Sequence, residues 1–145
     1  MVCTGNICRS PTMEGVFRRF AEQSGWGAAL DSAGTQGWHT GEAPDPRTVA
    51  AAGRRGYDLA GIRSRKVAAD DFARFDLLLA ADLGHVRELL DLAPAGAAGK
   101  VRLFLGRHNL PDPYYGGPRD FEAVLDAVEE RARAWDGTAA FFLRD

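Results

Sequence analysis

The chain is short of several things at once. No run approaches the roughly 18 to 20 consecutive apolar residues that a membrane span requires, and no leader precedes the first motif. A cytoplasmic protein with no membrane partner is expected, with export lacking a standard leader left open. Positive charge is in no excess: 18 Lys and Arg face 20 Asp and Glu, for a net charge of -2. The basic residues are scattered, which argues against nucleic acid as a partner. Lysine is nearly missing, with Lys66 and Lys100 alone. An arginine bias suits bidentate oxyanion contacts, but genome composition produces it too.

Cysteine is equally scarce, with only Cys3 and Cys8, five positions apart. A disulfide across so short a loop would remove little chain entropy, and two cysteines make no secreted framework. Their use is expected to be chemical. His39, His85 and His108 are scattered with no carboxylate or thiol at ligand spacing, so no metal or other cofactor is expected. Repeats, low-complexity runs and linkers are missing as well. With 46% of its 145 residues hydrophobic, the chain can close one core, and residues 1–145 are read as a single domain.

What is present alternates. Ser10-Pro11 offers an N-cap and a first helical residue, and Met13, Val16, Phe17 and Phe20 recur at helical spacing until Gly25. Trp26 to Ala33 reads as a brief strand between glycines. Asp45-Pro46 repeats the cap-plus-proline start, with Val49 and Ala52 inward. Phe75 to Ala81 holds the apolar run Leu77-Leu78-Leu79-Ala80-Ala81, as in a strand buried on both faces. Leu83 to Leu92 is amphipathic, Val101 to Leu105 reads as a strand, and Phe121, Val124, Leu125, Val128, Ala132 and Trp135 mark a long C-terminal helix. The alternation predicts an α/β, three-layer domain, a four-stranded parallel sheet with helices on both faces. Ligands of such sheets bind beyond the carboxyl ends of the strands, so the first strand-to-helix turn is where chemistry is expected.

That turn reads Val2-Cys3-Thr4-Gly5-Asn6-Ile7-Cys8-Arg9-Ser10-Pro11. A loop wrapped on a helix N-terminus aims backbone N–H groups inward, and with the helix dipole it makes an anion cradle. Gly5 and Asn6 suit the unusual dihedrals this needs, and Arg9 adds a planar fork for two phosphate oxygens. The same donors would stabilise a Cys3 thiolate at the base of the cradle. The competing reading, a buried strand cysteine before an ordinary turn, is outweighed by Gly, Asn, the second Cys and the Ser-Pro helix start taken together. G-x4-G-K-[ST] and G-x-G-x-x-G are both absent, so the usual nucleotide signatures are missing.

This segment resembles the signature loop of the low-molecular-weight protein tyrosine phosphatases. Asp31-Ser32-Ala33-Gly34, Trp38, Ala43-Pro44-Asp45-Pro46-Arg47 and Asp112-Pro113-Tyr114-Tyr115-Gly116 follow in that family's order, so the resemblance covers nearly the whole chain. It implies that Cys3 attacks the phosphorus of a phosphotyrosine-containing protein or a small aryl phosphate. Arg9 and the amides of Thr4, Gly5, Asn6, Ile7 and Cys8 would hold the oxygens, Asp112 would act as general acid and then base, and inorganic phosphate would be released. Ser10 would donate to the thiolate, Asn6 would pair with Ser32, and Asp82 would orient Arg9, although capping roles suit Ser32 and Asp82 equally. Trp38, Tyr114 and Tyr115 would wall a cleft deep enough to select an aryl ester, with His39 at its rim. Cys8 resembles the family's second loop cysteine, a reversible disulfide partner for the nucleophile, and a small buried residue is its alternative. Asp120 and Asp126 read as a solvated helix face.

Three departures set further expectations. Ile62 stands where many members carry a His that supports the loop Asn, so that support must be lost or come from elsewhere. The segment from Leu105 to Asp112 is short, so the acid's loop is expected to sit differently. Only Met1-Val2 precede Cys3, so the first strand is expected to be cut short. Two other functions share the loop: an arsenate reductase, which would want a further cysteine pair, and an oxyanion-binding module without catalysis, which would need neither Cys3 nor Asp112. The motifs leave the oligomeric state open.

Overall fold

The computed structural model describes residues 1–144. Strands β1 (Val2–Cys3), β2 (Ala33–Gly34), β3 (Leu78–Ala80) and β4 (Val101–Leu103) form one sheet in the order β2-β1-β3-β4. All its pairings are parallel, with Val2 opposite both Ala33 and Ala80, and Leu78 opposite Val101. Because β1 lies between β2 and β3, the chain leaves it in one direction and later returns to its other side. The carboxyl end of β1 is therefore the switch point of the sheet, where this class of fold opens a crevice.

Side-chain alternation along the strands divides the interior in two. Cys3 and Leu79 face a core shared with Met13, Val16 and Phe17 of α1 (Arg9–Ser24) and Val124, Leu125 and Val128 of α5 (Pro118–Ala134). Val2, Leu78 and Ala80 face the other layer, with Phe72 of α3 (Asp71–Arg74) and Leu89 of α4 (Leu83–Leu92). Phe17 is fully buried, its ring edge-on to Phe104 at 5.2 Å and tilted on Trp135 at 4.9 Å. Truncating such a ring to alanine costs about 3–5 kcal/mol. Helix α2 (Pro46–Arg54) starts as its sequence implies, Asp45 accepting from the Arg47 N–H at 2.8 Å. A short helix, α6 (Ala140–Leu143), brings Phe142 onto Phe17 and Phe104.

The expected elements form with four corrections. Residues 26–32 are irregular and β2 is confined to Ala33–Gly34, the pair that lies beside Val2 and Cys3. Strands β3 and β4 are likewise shorter than their apolar runs. Ser10 is no N-cap: α1 begins at Arg9 without a side-chain cap, because the Ser10 hydroxyl turns instead to Cys3 and Asn6. The acidic face of α5 is only partly free, since Asp120 accepts from the Gly117 N–H at 2.7 Å and Asp126 pairs with Arg55 at 2.9 Å. Among the described residues no helix is long and apolar enough to cross a membrane.

Candidate active site

The loop from Cys3 to Arg9 is held by its carbonyls. Thr35, Gln36 and Asp45 donate their backbone N–H groups to the oxygens of Cys3, Thr4 and Ile7 at 2.8, 2.9 and 2.9 Å. Ser64 Oγ donates to the Gly5 oxygen at 2.9 Å. With the oxygens tied outward, the N–H groups of Gly5, Asn6, Ile7 and Cys8 meet no protein acceptor among the described residues. Buried N–H groups without partners are costly, and a ring of them ahead of a helix N-terminus is an anion site. The close pass of β2 is part of this geometry. A Cβ on Gly34 would lie 2.6 Å from the Thr4 oxygen, so glycine is required there.

Asn6 makes the turn possible, with φ at 58°, a left-handed conformation open to Asn at modest cost. Its side chain then organises the interior of the loop. Nδ2 donates to Ser10 Oγ at 2.7 Å and to Ser32 Oγ at 3.0 Å, while Oδ1 accepts from the Arg65 N–H at 3.1 Å. Ser32 donates in turn to the buried Glu14 carboxylate at 2.6 Å, itself paired with Arg18. The direction of these bonds leaves the Ser10 proton free for Cys3 Sγ at 3.1 Å, closer than the Ala33 carbonyl at 3.4 Å. Support for Asn6 thus comes from the Arg65 backbone, and Ile62 merely packs against the core.

Arg9 is 4% exposed and is held on both sides. Nη1 donates to Asp82 Oδ2 at 2.8 Å and to the Leu110 carbonyl at 3.0 Å; Nη2 lies 3.8 Å from Asp112 Oδ2. The short segment before Asp112 therefore still delivers that carboxylate to the guanidinium. Burial alone would raise the Asp82 carboxyl, but the Arg9 hydrogen bond and the His85 N–H hold it below the usual carboxylate range. Asp112 is half exposed and accepts from the Tyr114 N–H at 3.1 Å. Of the two roles open to Asp82, orienting Arg9 and capping α4, the side chain fills both.

Cys3 and Cys8 are both buried, free thiols. Burial pushes the Cys8 thiol up to about 12. The aromatic wall is more open than expected: Trp38 is 71% exposed and Tyr115 94%. Tyr114 is partly covered, tilted on Tyr115 at 4.9 Å and lying under the Arg47 guanidinium at 5.4 Å. His39 leans on the loop, its Nδ1 held by Glu42 at 2.6 Å and its Cδ2 3.0 Å from where a Gly5 Cβ would stand. A cavity of about 350 Å³ opens elsewhere, at the amino ends of the strands between Leu30, Leu77 and Phe142.

Sequence reasoning missed Glu14, Ser64, Arg65 and His85. Ser64 and Arg65 reach the loop from a distant segment, and Glu14 on α1 acts through Ser32, 18 positions away, so no local pattern marks any of the three. His85 did carry a signal: it follows Asp82 by three residues at the start of α4, the spacing of a reciprocal cap. It is buried, bonded to Thr4 and close to Arg9, a place in the loop's support that testing the histidines for metal-ligand spacing could not show.

Fold and loop define an α/β protein with a cysteine loop, its N–H groups without protein acceptors among the described residues, at the switch point of a parallel sheet. The family model described as low molecular weight phosphotyrosine protein phosphatase matches residues 1–140. A low molecular weight protein-tyrosine-phosphatase of Streptomyces coelicolor is 48% identical over 139 residues, covering 88% of this chain and 84% of that one. The human low molecular weight phosphotyrosine protein phosphatase is 34% identical, with 92% and 90% covered. Vibrio vulnificus Wzb in complex with benzylphosphonate superposes with a TM-score of 0.84 at 31% identity, with 92% of each chain covered. The chain belongs to the low molecular weight phosphotyrosine protein phosphatase family.

Proposed function

We propose that this protein hydrolyses phosphotyrosine in proteins, and small aryl phosphates, through a phosphocysteine on Cys3. The observation that carries the reading is the buried Cys3 Sγ, 3.1 Å from the Ser10 hydroxyl, at the start of a loop that ends on the buried Arg9 and whose N–H groups meet no protein acceptor among the described residues. Cys3 Sγ attacks phosphorus in line, the P–S bond forming as the P–O bond to the ring breaks. The amides of Thr4 to Cys8 and the free face of Arg9 hold the equatorial oxygens, where charge gathers in the transition state. Asp112 gives its proton to the departing phenolic oxygen. It then takes a proton from the water that attacks phosphorus, breaking P–S and releasing inorganic phosphate with the thiolate restored.

Specificity for the ring falls to the aromatic rim. Trp38, Tyr114 and Tyr115 would close on the ring of a bound aryl ester, with His39 already against Gly5 of the loop, and a phosphorylated serine offers those rings no face to stack on. Two free thiols at a catalytic loop suit a reducing compartment, hence the cytoplasm. Trapping tests the reaction: acid quench during turnover of p-nitrophenyl phosphate with EDTA present should leave one phosphate on the Cys3 peptide by mass spectrometry. Label on another residue, or none, would remove Cys3 from the chemistry.

A further inference from the structure

His85 is 2% exposed beside the loop, and neither chemical step above gives it work. Its surroundings fix its protonation. The Asp82 backbone N–H points at Nδ1 from 3.2 Å; a donor there requires a bare lone pair on that nitrogen. Asp82 Oδ1 lies 3.3 Å from the same atom but already accepts the His85 backbone N–H at 3.1 Å. A neutral ring then carries its proton on Nε2, which stands 2.8 Å from Thr4 Oγ1 and 3.5 Å from Arg9 Nη2. Burial disfavours the imidazolium and the Arg9 charge acts in the same direction, against the opposite pull of Asp82, Glu88 and Asp112.

Thr4 enters the loop directly after Cys3, and Arg9 leaves it. The first turn of α4 grips both limbs, Asp82 holding Arg9 and His85 holding Thr4. Transition-state binding depends on the separation of the loop N–H groups from the guanidinium, where a misplacement of about 1 Å can cost about 100-fold. Taking Cys3 and Arg9 as the phosphate site, we propose that His85 is a positioning residue: its Nε2–H donates to Thr4 Oγ1 and locks the entry of the loop to the Asp82–Arg9 clamp.

Two substitutions separate this role from simple capping of α4. His85→Asn retains an acceptor where Nδ1 stood, so the cap survives and the Thr4 bond is lost. His85→Gln places an amide where Nε2 stood, so the Thr4 bond survives. With p-nitrophenyl phosphate, His85→Asn should lose about ten-fold in kcat/KM at an almost unchanged Tm, while His85→Gln stays near the wild type. Adding Thr4→Val to His85→Asn should cost nothing further. The reverse order, with His85→Asn active and His85→Gln impaired, would overturn the proposal. Nitrogen-15 spectra of the full chain at neutral pH should show a protonated Nε2 and a bare Nδ1; the other tautomer, or an imidazolium, would overturn it independently of activity. Turnover that survives Cys3→Ser would instead sink the site assignment, and the spectrum would still decide the state of His85.

Discussion

Arg9 Nη1 donates to Asp82 Oδ2 at 2.8 Å while Asp82 Oδ1 accepts the His85 N–H at 3.1 Å, so one carboxylate aims the phosphate-binding group and starts helix α4. Asp82→Asn keeps an oxygen for the cap and removes the charge facing Arg9. We expect kcat/KM for an aryl phosphate to fall about 10- to 100-fold with a small change in Tm at neutral pH.

The same contact predicts a pH effect on stability. The Asp82 carboxyl is held low in the folded protein, so its contribution is complete above the unfolded value, about 3.9, and is lost as pH falls through the folded value. Between pH 5 and pH 2, unfolding free energies of the wild type should fall more steeply than those of Asp82→Asn. Parallel slopes would show that the Arg9 contact does not hold the carboxyl low.

Metal-independent turnover, insensitive to EDTA, should disappear in Cys3→Ser. It should fall by roughly two to four orders of magnitude in Asp112→Ala. The loss in Asp112→Ala should shrink for esters whose leaving group needs no proton, because the acid acts on the departing oxygen. Binding of phosphotyrosine with no turnover in the wild type would favour a binding module, and equal rates in wild type and Cys3→Ser would exclude the cysteine mechanism.

Some of this was legible in the sequence because the signals are local. The 3.6-residue spacing of Met13, Val16, Phe17 and Phe20 and the loop composition both lie within one segment, and so does the Asp45-Pro46 cap. Ser10 misled because Ser-Pro is an N-cap pattern, yet tertiary contact with Cys3 and Asn6 outcompetes capping. Residues 26–32 misled because strand identity depends on a partner, and the ladder reaches only Ala33 and Gly34. Glu14 reaches Ser32 across 18 positions, and the Arg65 N–H reaches Asn6 across 59. Such contacts leave no periodicity to read, which is why the substitute for the His expected near Ile62 was invisible.

Asn6 combines two demands that substitution can split. Asn6→Gly keeps the backbone at φ 58° and loses the bonds to Ser10, Ser32 and Arg65. Asn6→Ala loses the same bonds and adds the left-handed cost of about 1–2 kcal/mol. Denaturant unfolding should place Asn6→Gly about 1–3 kcal/mol below the wild type and Asn6→Ala lower still. Equal stability of the two variants would show that the loop relaxes out of this conformation once the side chain is gone.

A reversible disulfide between Cys3 and Cys8, the role the family resemblance gives Cys8, sets the last expectation. Peroxide takes a Cys3 thiolate to the sulfenic acid; attack by the Cys8 sulfur would then form the disulfide and release water, sparing Cys3 from irreversible oxidation. The attacking thiol is handicapped, because burial pushes Cys8 up to about 12 and little of it is thiolate at neutral pH. Below that value its thiolate fraction rises about ten-fold per pH unit, and the rate of disulfide closure should rise with it. Closure rates measured by rapid alkylation after a peroxide pulse should therefore climb steeply from pH 6 to pH 9. Dithiothreitol should restore activity to the oxidised wild type and not to Cys8→Ser. Equal recovery of the two would leave Cys8 as a packing residue against Pro113 and Leu125, with no share in protecting the nucleophile.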